Sequence, residues 1–241
     1  MADWQTMVAD ILQEVNKPND SDLADRAIAS ALRYLRSERF WFNEGTFEII
    51  TIKDQFEYAM PTDFVSLIDR PYITWDTSSS RRALLDKTHE FTNDYRHYTW
   101  EFNGFSVTNQ GVPAAFALVP DSDMPQRSKM VVVPIPDQDG RIIDGRYVRD
   151  FGIPLVKYTG SAWTLLDPAN ETDTVPPTYT SPWFIEGYDL LKNRAIYYMY
   201  KRYYRDMEAA QAAVLEYADH FNRLRVEHNR RSAVRTTRGY L

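Results

Sequence analysis

Eleven of the 13 prolines fall between residues 61 and 177, with Pro18 and Pro182 outside that stretch. Proline has no backbone N–H, and its ring clashes with the preceding helical turn, so a stretch punctuated this often holds no long helices. The chain therefore reads as three zones. Before the prolines, Trp4, Met7, Val8, Ile11, Leu12 and Val15 follow the i, i+3, i+4 rhythm of a one-faced helix. "NKPND" breaks it, and Asp20 or Ser21 can cap a second helix over 21–39, whose apolar side carries Ala24, Ala27, Ile28, Ala31, Leu32 and Leu35. "FWFNEG" at 40–45 closes this pair.

From about 46 to 180 the period changes. "TFEIITI" and "QFEYAM" run at strand length around the turn-prone "KDQ". "AAFALV" (114–119), "KMVVVPI" (129–135), "GRYVRDF" (145–151) and "IPLVKY" (153–158) read as further short strands, with one helix expected at 84–98. After the prolines, Ser181-Pro182 is a helix start. A helix from 182 to about 204 is expected, then another capped by Asp206, in which Ala210, Val214, Tyr217, Phe221 and Leu224 form a seam. The expected fold class is α+β: a helical bundle from N- and C-terminal helices (1–45 and 181–229), an inserted antiparallel β-rich domain (46–180) and an extended basic C-terminal tail (230–241).

Residue types narrow the chemistry. There are no cysteines, which excludes disulfides, thiolate metal sites and Cys nucleophiles. His89 and His97 are eight apart, as are His220 and His228, whereas a helical metal face needs i, i+4. "DQDG" (137–140) resembles the start of a calcium loop but lacks the third acid and the bidentate acid, so a turn is expected. No nucleophile elbow, Walker loop or dinucleotide fingerprint occurs. The expectation is a protein with no catalytic residues, no metal and no cofactor. No stretch has the length of a membrane span, and the N-terminus lacks the basic region of a signal peptide, so a soluble protein with no membrane partner is expected.

Charge is segregated. The chain sums to −6, yet residues 223–241 hold six Arg against one acid, Glu227, so the rest stands at −11. Such segregation points to a partner. "YYMYKRYYRD" (197–206) has two readings, a helix packing Tyr on one side with Lys and Arg on the other, or a subunit interface. Nucleic-acid binding by that basic–aromatic run is weighed against by Asp206, Glu208, Glu216 and Asp219 nearby, and a nucleic-acid-binding protein using the basic tail as a phosphate clamp is the alternative reading. A carboxylate-based hydrolase is a more distant one.

The order of several short motifs resembles the head-to-tail adaptor (connector) proteins of tailed bacteriophages. These are "FWFNEG" (40–45), "YAMPTDF" (58–64), "GVPAAF" (111–116, with Phe116 where Tyr is more usual), "MVVVPIPD" (130–137) with Tyr147 on the next strand, and "SPWFIEGYDLLKNRAIYYMYKRY". The resemblance implies a virion neck protein, made in the host bacterial cytoplasm, that forms a ring of twelve copies below the portal protein. It implies tail, nozzle or other neck proteins as further partners, with DNA passing through the channel without specific binding. On that footing the tail would be an arm. Arg230, Arg231, Arg235 and Arg238 would pair with a partner's acidic groups, and Tyr240 would anchor it.

Overall fold

The computed structural model describes residues 3–74, 81–89, 101–102, 105–106, 110–121, 127–151, 156–158, 163–165 and 181–237. For 101–102, 105–106, 156–158, 163–165 and 232–237 it describes the backbone alone. The fold is mixed α+β, with antiparallel sheets and five α-helices bounded within the described residues. The chain divides into two compact units, residues 1–43 with 150–241, and residues 44–149. The boundary falls after 149, so the described residues 150–151, 156–158 and 163–165, read from sequence as part of the β-rich stretch, belong to the helical unit. Phe151 shows why: its ring packs on the helical core.

In the helical unit, α1 (Trp4–Glu14) starts at Asp3, whose carboxylate accepts the Thr6 N–H at 2.8 Å. α2 (Ser21–Leu35) buries Ala24, Ala27, Ile28, Ala31, Leu32 and Leu35, the stripe read from the 3.6-residue period. Three of these are alanines, which leave room for a neighbouring helix backbone. The long helix expected over 182–204 is interrupted. α3 (Pro182–Ile185) stops, Gly187 intervenes, and α4 (Tyr188–Tyr198) begins. A Cβ on Gly187 would lie 2.9 Å from the Trp183 ring, so the close approach of helix to indole requires glycine there. A π-helical turn, Met199–Tyr204, extends α4 until Arg205 turns left-handed at φ 55°. Asp206 then accepts the Ala209 N–H at 3.0 Å and opens α5 (Met207–Thr237). One core unites Trp4, Met7 and Ile11 of α1 with the α2 stripe, Phe40, Trp183, Phe184 and the α4 residues Leu190, Leu191, Ala195 and Ile196.

The other unit consists mainly of two sheets. In the first, β1 (Glu44–Ile50) pairs antiparallel along its whole length with β13 (Ile142–Arg149), from Glu44↔Val148 to Ile50↔Ile142. β13 also carries β3 (Phe64–Leu67) and β4 (Tyr72–Thr74), and β4 carries β5 (Arg81–Ala83). The second sheet runs β2 (Glu57–Ala59), β11 (Ser128–Val133), β10 (Ala115–Pro120), β6 (Leu85–Asp86). Phe47, Ile73, Ile143 and Tyr147 from the first sheet meet Tyr58, Phe116, Met130 and Val132 from the second in a shared core. Val131 and Val133 point to the opposite face, with Ala115 and Ala117, and are buried there too. That two-sided burial explains why "KMVVV" reads as a continuous apolar run rather than an alternating one.

The helix expected at 84–98 begins later than expected: Leu85–Asp86 form strand β6, parallel to β10, and the backbone turns helical at 88–89. Leu85 N–H donates to Ala114 C=O at 3.0 Å and Lys87 N–H to Phe116 C=O at 2.8 Å, so sheet bonds override local helix propensity. Residues 90–98 of that expectation lie outside the described residues. Two-stranded pieces, β7 (Glu101–Phe102) with β8 (Phe105–Ser106) and β9 (Gln110–Gly111) with β12 (Ile135–Pro136), complete this unit. A hairpin, β14 (Val156–Tyr158) with β15 (Trp163–Leu165), belongs to the helical unit. "DQDG" is a turn. Gly140 takes φ +85° and donates to Thr51 C=O at 2.9 Å, while Asp137 pairs with Arg141 at 2.5 Å.

Candidate partner interface

The basic end of the chain is helix rather than extended arm as far as Thr237. This corrects the expectation for 230–237, and the reason is local. No Gly or Pro occurs from 207 to 237. Arginine is a good helix former, and positive charge near a helix C-terminus is favoured by the macrodipole. At 31 residues, α5 extends about 46 Å at ~1.5 Å per residue. Its inward stripe is Ala210, Ala213, Tyr217, Phe221, Leu224 and His228, buried or partly buried on the helical core.

Arg231 falls next on that stripe. Its guanidinium lies 4.3 Å from the centre of the Trp41 ring, and its Nε donates to Glu227 at 2.8 Å. Arg231 is thus engaged within its own chain. Arg230, a third of a turn round, is exposed and makes no ion pair among the described residues. Arg235 continues the helix one turn beyond Arg231, with its backbone alone described. Arg238 and Tyr240 lie outside the described residues. The structure therefore brings Arg230 and Arg231 onto one helix but onto different sides of it.

Trp41 is held by the "FWFNEG" corner. Asn43, fully buried, accepts the Phe40 N–H at 2.8 Å and donates to Glu38 C=O at 2.6 Å. Around it Phe40, Phe42 and Trp183 form an aromatic cluster, with Phe42 and Trp183 edge to face at 4.9 Å. "FWFNEG" and "SPWF", which begin 141 positions apart, are two halves of one packing unit.

The tyrosine run packs inward. Tyr197, Tyr198, Tyr200, Tyr203 and Tyr204 are all partly buried on the core. Tyr204 donates to Asp20 at 2.6 Å, and burial together with that bond holds its hydroxyl well above the usual phenol range. Tyr188, donating to Asp10 at 2.5 Å, is raised for the same two causes. Sequence reasoning missed Arg194 on α4. Its guanidinium sits 3.7 Å from the Tyr34 ring of α2, 4.9 Å from Tyr197, 5.1 Å from Tyr198 and 5.1 Å from Tyr217 of α5. Its buried Nε has no hydrogen-bond partner. Burial, with Tyr34 beside it, pushes Tyr217 up to about 12, and the Arg194 cation opposes that rise. The signal was present: "RAIYY" sets two tyrosines three and four residues after an arginine, on one helical face.

In the β unit the motif "YAMPTDF" meets Tyr147. Asp63 accepts from Tyr147 Oη at 2.7 Å and from Arg149 Nε at 2.7 Å. Burial alone would raise the Asp63 carboxyl; the Tyr147 and Arg149 bonds outweigh it and hold the carboxyl low, while Tyr147 is pushed up to about 12 by burial and by that same bond. An open cleft of about 430 Å³ on this unit is lined by Thr46, Phe47, Glu48, Arg70, Tyr72 and Gly145 with the ion pairs Arg81–Asp144 and Arg146–Asp69. Among the described residues no His, Cys, Asp or Glu cluster could hold a metal ion, and no helix is long and apolar enough to cross a membrane.

Asp10, Asp20 and Asp63 are occupied with tyrosines, and Arg194 and Arg231 with aromatic rings. The motifs at 40–45, 58–64 and 181–184 each contribute to a packed corner. The chain belongs to the SU10 adaptor protein family, whose model matches residues 2–239. This is a family of bacteriophage adaptors, structural proteins of the virion that associate with other head and tail proteins. No curated protein matches the chain.

Proposed function

We propose that this protein is a head-to-tail adaptor that assembles as a ring of twelve copies below the portal protein and links it to the tail, nozzle or other neck proteins. The observation that carries this reading is the match of one adaptor family to nearly the whole chain, residues 2–239. In this reading the terminal helices form a bundle, the β-rich unit is its insertion, and the protein is made in the host cytoplasm. The DNA passes through the ring's channel. At −6 per copy, twelve copies carry about −72, and a net-negative ring repels phosphate, so DNA slides without specific binding. The protein acts without catalysis, metal or cofactor.

The basic end is the proposed docking element. Arg230, Arg235 and Arg238 pair with acidic groups on the portal or a neighbouring neck protein, and Tyr240 anchors the end. The helical course of α5 supports a rigid rod rather than a loose arm for that contact. Arg231, already stacked on Trp41, fixes where the rod leaves the body. The test mixes full-length protein, or a chain lacking 232–241, with portal rings and images the particles. Full-length protein adds a ring to the portal, and the truncated chain does not. If the truncated chain joins normally, the docking role fails. If the full-length protein instead shifts a DNA probe at physiological salt through its tail, the nucleic-acid reading replaces this one.

A further inference from the structure

α5 has a second stripe, on the side away from the core. Met207, Leu215, Ala218, Asn222 and Val226 step along it at helical spacing, all exposed and all uncharged. Met207 is 57% exposed, Leu215 72% and Val226 52%. Glu208 and Arg225 share the sector, about five turns from Val226 and Met207 respectively, and the three large apolar side chains form a seam with no partner among the described residues.

The charges beside the seam say what the partner is. Residues 207–219 hold Glu208, Glu216 and Asp219 and no basic residue. Residues 220–237 hold Arg223, Arg225, Arg230, Arg231 and Arg235 against Glu227 alone. The macrodipole favours acids early and bases late, but it acts within the first and last turns of a helix. Glu216, Asp219, Arg223 and Arg225 sit mid-helix, so the dipole does not account for them. Such a helix is complementary to itself when reversed. A parallel, in-register pair sets acid beside acid and base beside base. An antiparallel pair centred between residues 220 and 221 sets Leu215 against Val226 of the second copy and Glu216 level with its Arg225, with Asp219 one position from its Arg223.

We propose that the outward face of α5 is the seat of a second copy of this chain, paired antiparallel through α5 about a two-fold axis in the free protein. The internal Asp219–Arg223 ion pair, 2.6 Å and exposed on both sides, does not oppose this. An exposed pair of that kind contributes about 0–1 kcal/mol and can exchange partners. The pairing is independent of the ring reading, because it concerns the protein before it meets any other component.

The experiment uses the absence of native cysteine. Light scattering of the full-length protein at tens of micromolar is expected to give a dimer, and Leu215→Glu, an exposed position that leaves the core intact, a monomer with unchanged helical circular dichroism. Single variants Leu215→Cys and Val226→Cys are then oxidised alone and mixed. Antiparallel pairing gives disulfide dimers in the mixture and not in either variant alone. A monomeric wild type overturns the proposal, as does a Leu215→Glu variant that stays dimeric. Cross-linking of Leu215→Cys with itself overturns the antiparallel arrangement. Failure here leaves the portal-binding result untouched, so the two readings fall separately.

Discussion

Replacing Arg194 tests how the helical unit is tied together. The guanidinium joins three helices: Tyr34 on α2, Tyr197 and Tyr198 on α4, and Tyr217 on α5, at 3.7 to 5.1 Å from the ring centres. A cation over one ring contributes about 0.5–1 kcal/mol when exposed and ~2 when desolvated. Four rings around one half-buried cation share it, so a combined value of about 2 kcal/mol is reasonable. Opposing this, the buried Nε has no acceptor, which costs about 1 kcal/mol or more. Arg194→Ala loses the rings and also the packing of the aliphatic stem, about 1 kcal/mol for a half-covered stem. Arg194→Met keeps a stem and removes the stranded N–H. The expected losses are about 2–3 kcal/mol for Arg194→Ala and about 1 for Arg194→Met. Urea unfolding followed at 222 nm reads the helical unit, and a cycle with Tyr34→Leu should give a coupling of about 0.5–1 kcal/mol. The reasoning is refuted if Arg194→Ala costs less than about 0.5 kcal/mol, or if Arg194→Met is less stable than Arg194→Ala.

Three further changes probe separate corners. Asp63→Asn removes the charged acceptor of Tyr147 and Arg149 and should destabilise the β unit by about 2 kcal/mol at pH 7. Because the folded Asp63 carboxyl lies below its ordinary 3.8, its stabilisation is complete above that value and is lost as pH falls through the lowered one. Denaturation at pH 7, 5 and 3 should therefore show wild type and variant converging at the acid end. Gly187→Ala places a methyl 2.9 Å from the ring of Trp183, itself 3% exposed. With no room for the indole to yield, a loss of about 1–3 kcal/mol and a lowered thermal midpoint are expected. Asn43→Ala strands the Phe40 N–H and the Glu38 C=O, for a loss of about 2 kcal/mol by the same measurement, whereas an exposed control such as Asn229→Ala should stay within about 0.5.

What the sequence disclosed followed from periodicity, and what it withheld followed from partners distant along the chain. The α2 stripe and the inward seam of α5 were legible because each side chain's direction is set by its own helix. The interruption at Gly187 was not, since it depends on the Trp183 ring approaching the backbone. Nor was the strand at 85–86, which exists because β10 offers it hydrogen bonds. The basic end shows the same division. Six arginines in 19 residues announced a partner, and charge alone suggested an unfolded arm. Helix formation depends on backbone breakers and propensity, and none of the breakers occurs before Gly239. Once α5 continues, helix phase sorts its arginines: Arg231 is carried onto Trp41, 190 positions earlier, while Arg230 is turned to solvent. Net charge can be counted in one dimension. Which of those charges remain free for another protein is decided by the phase of the helix that carries them.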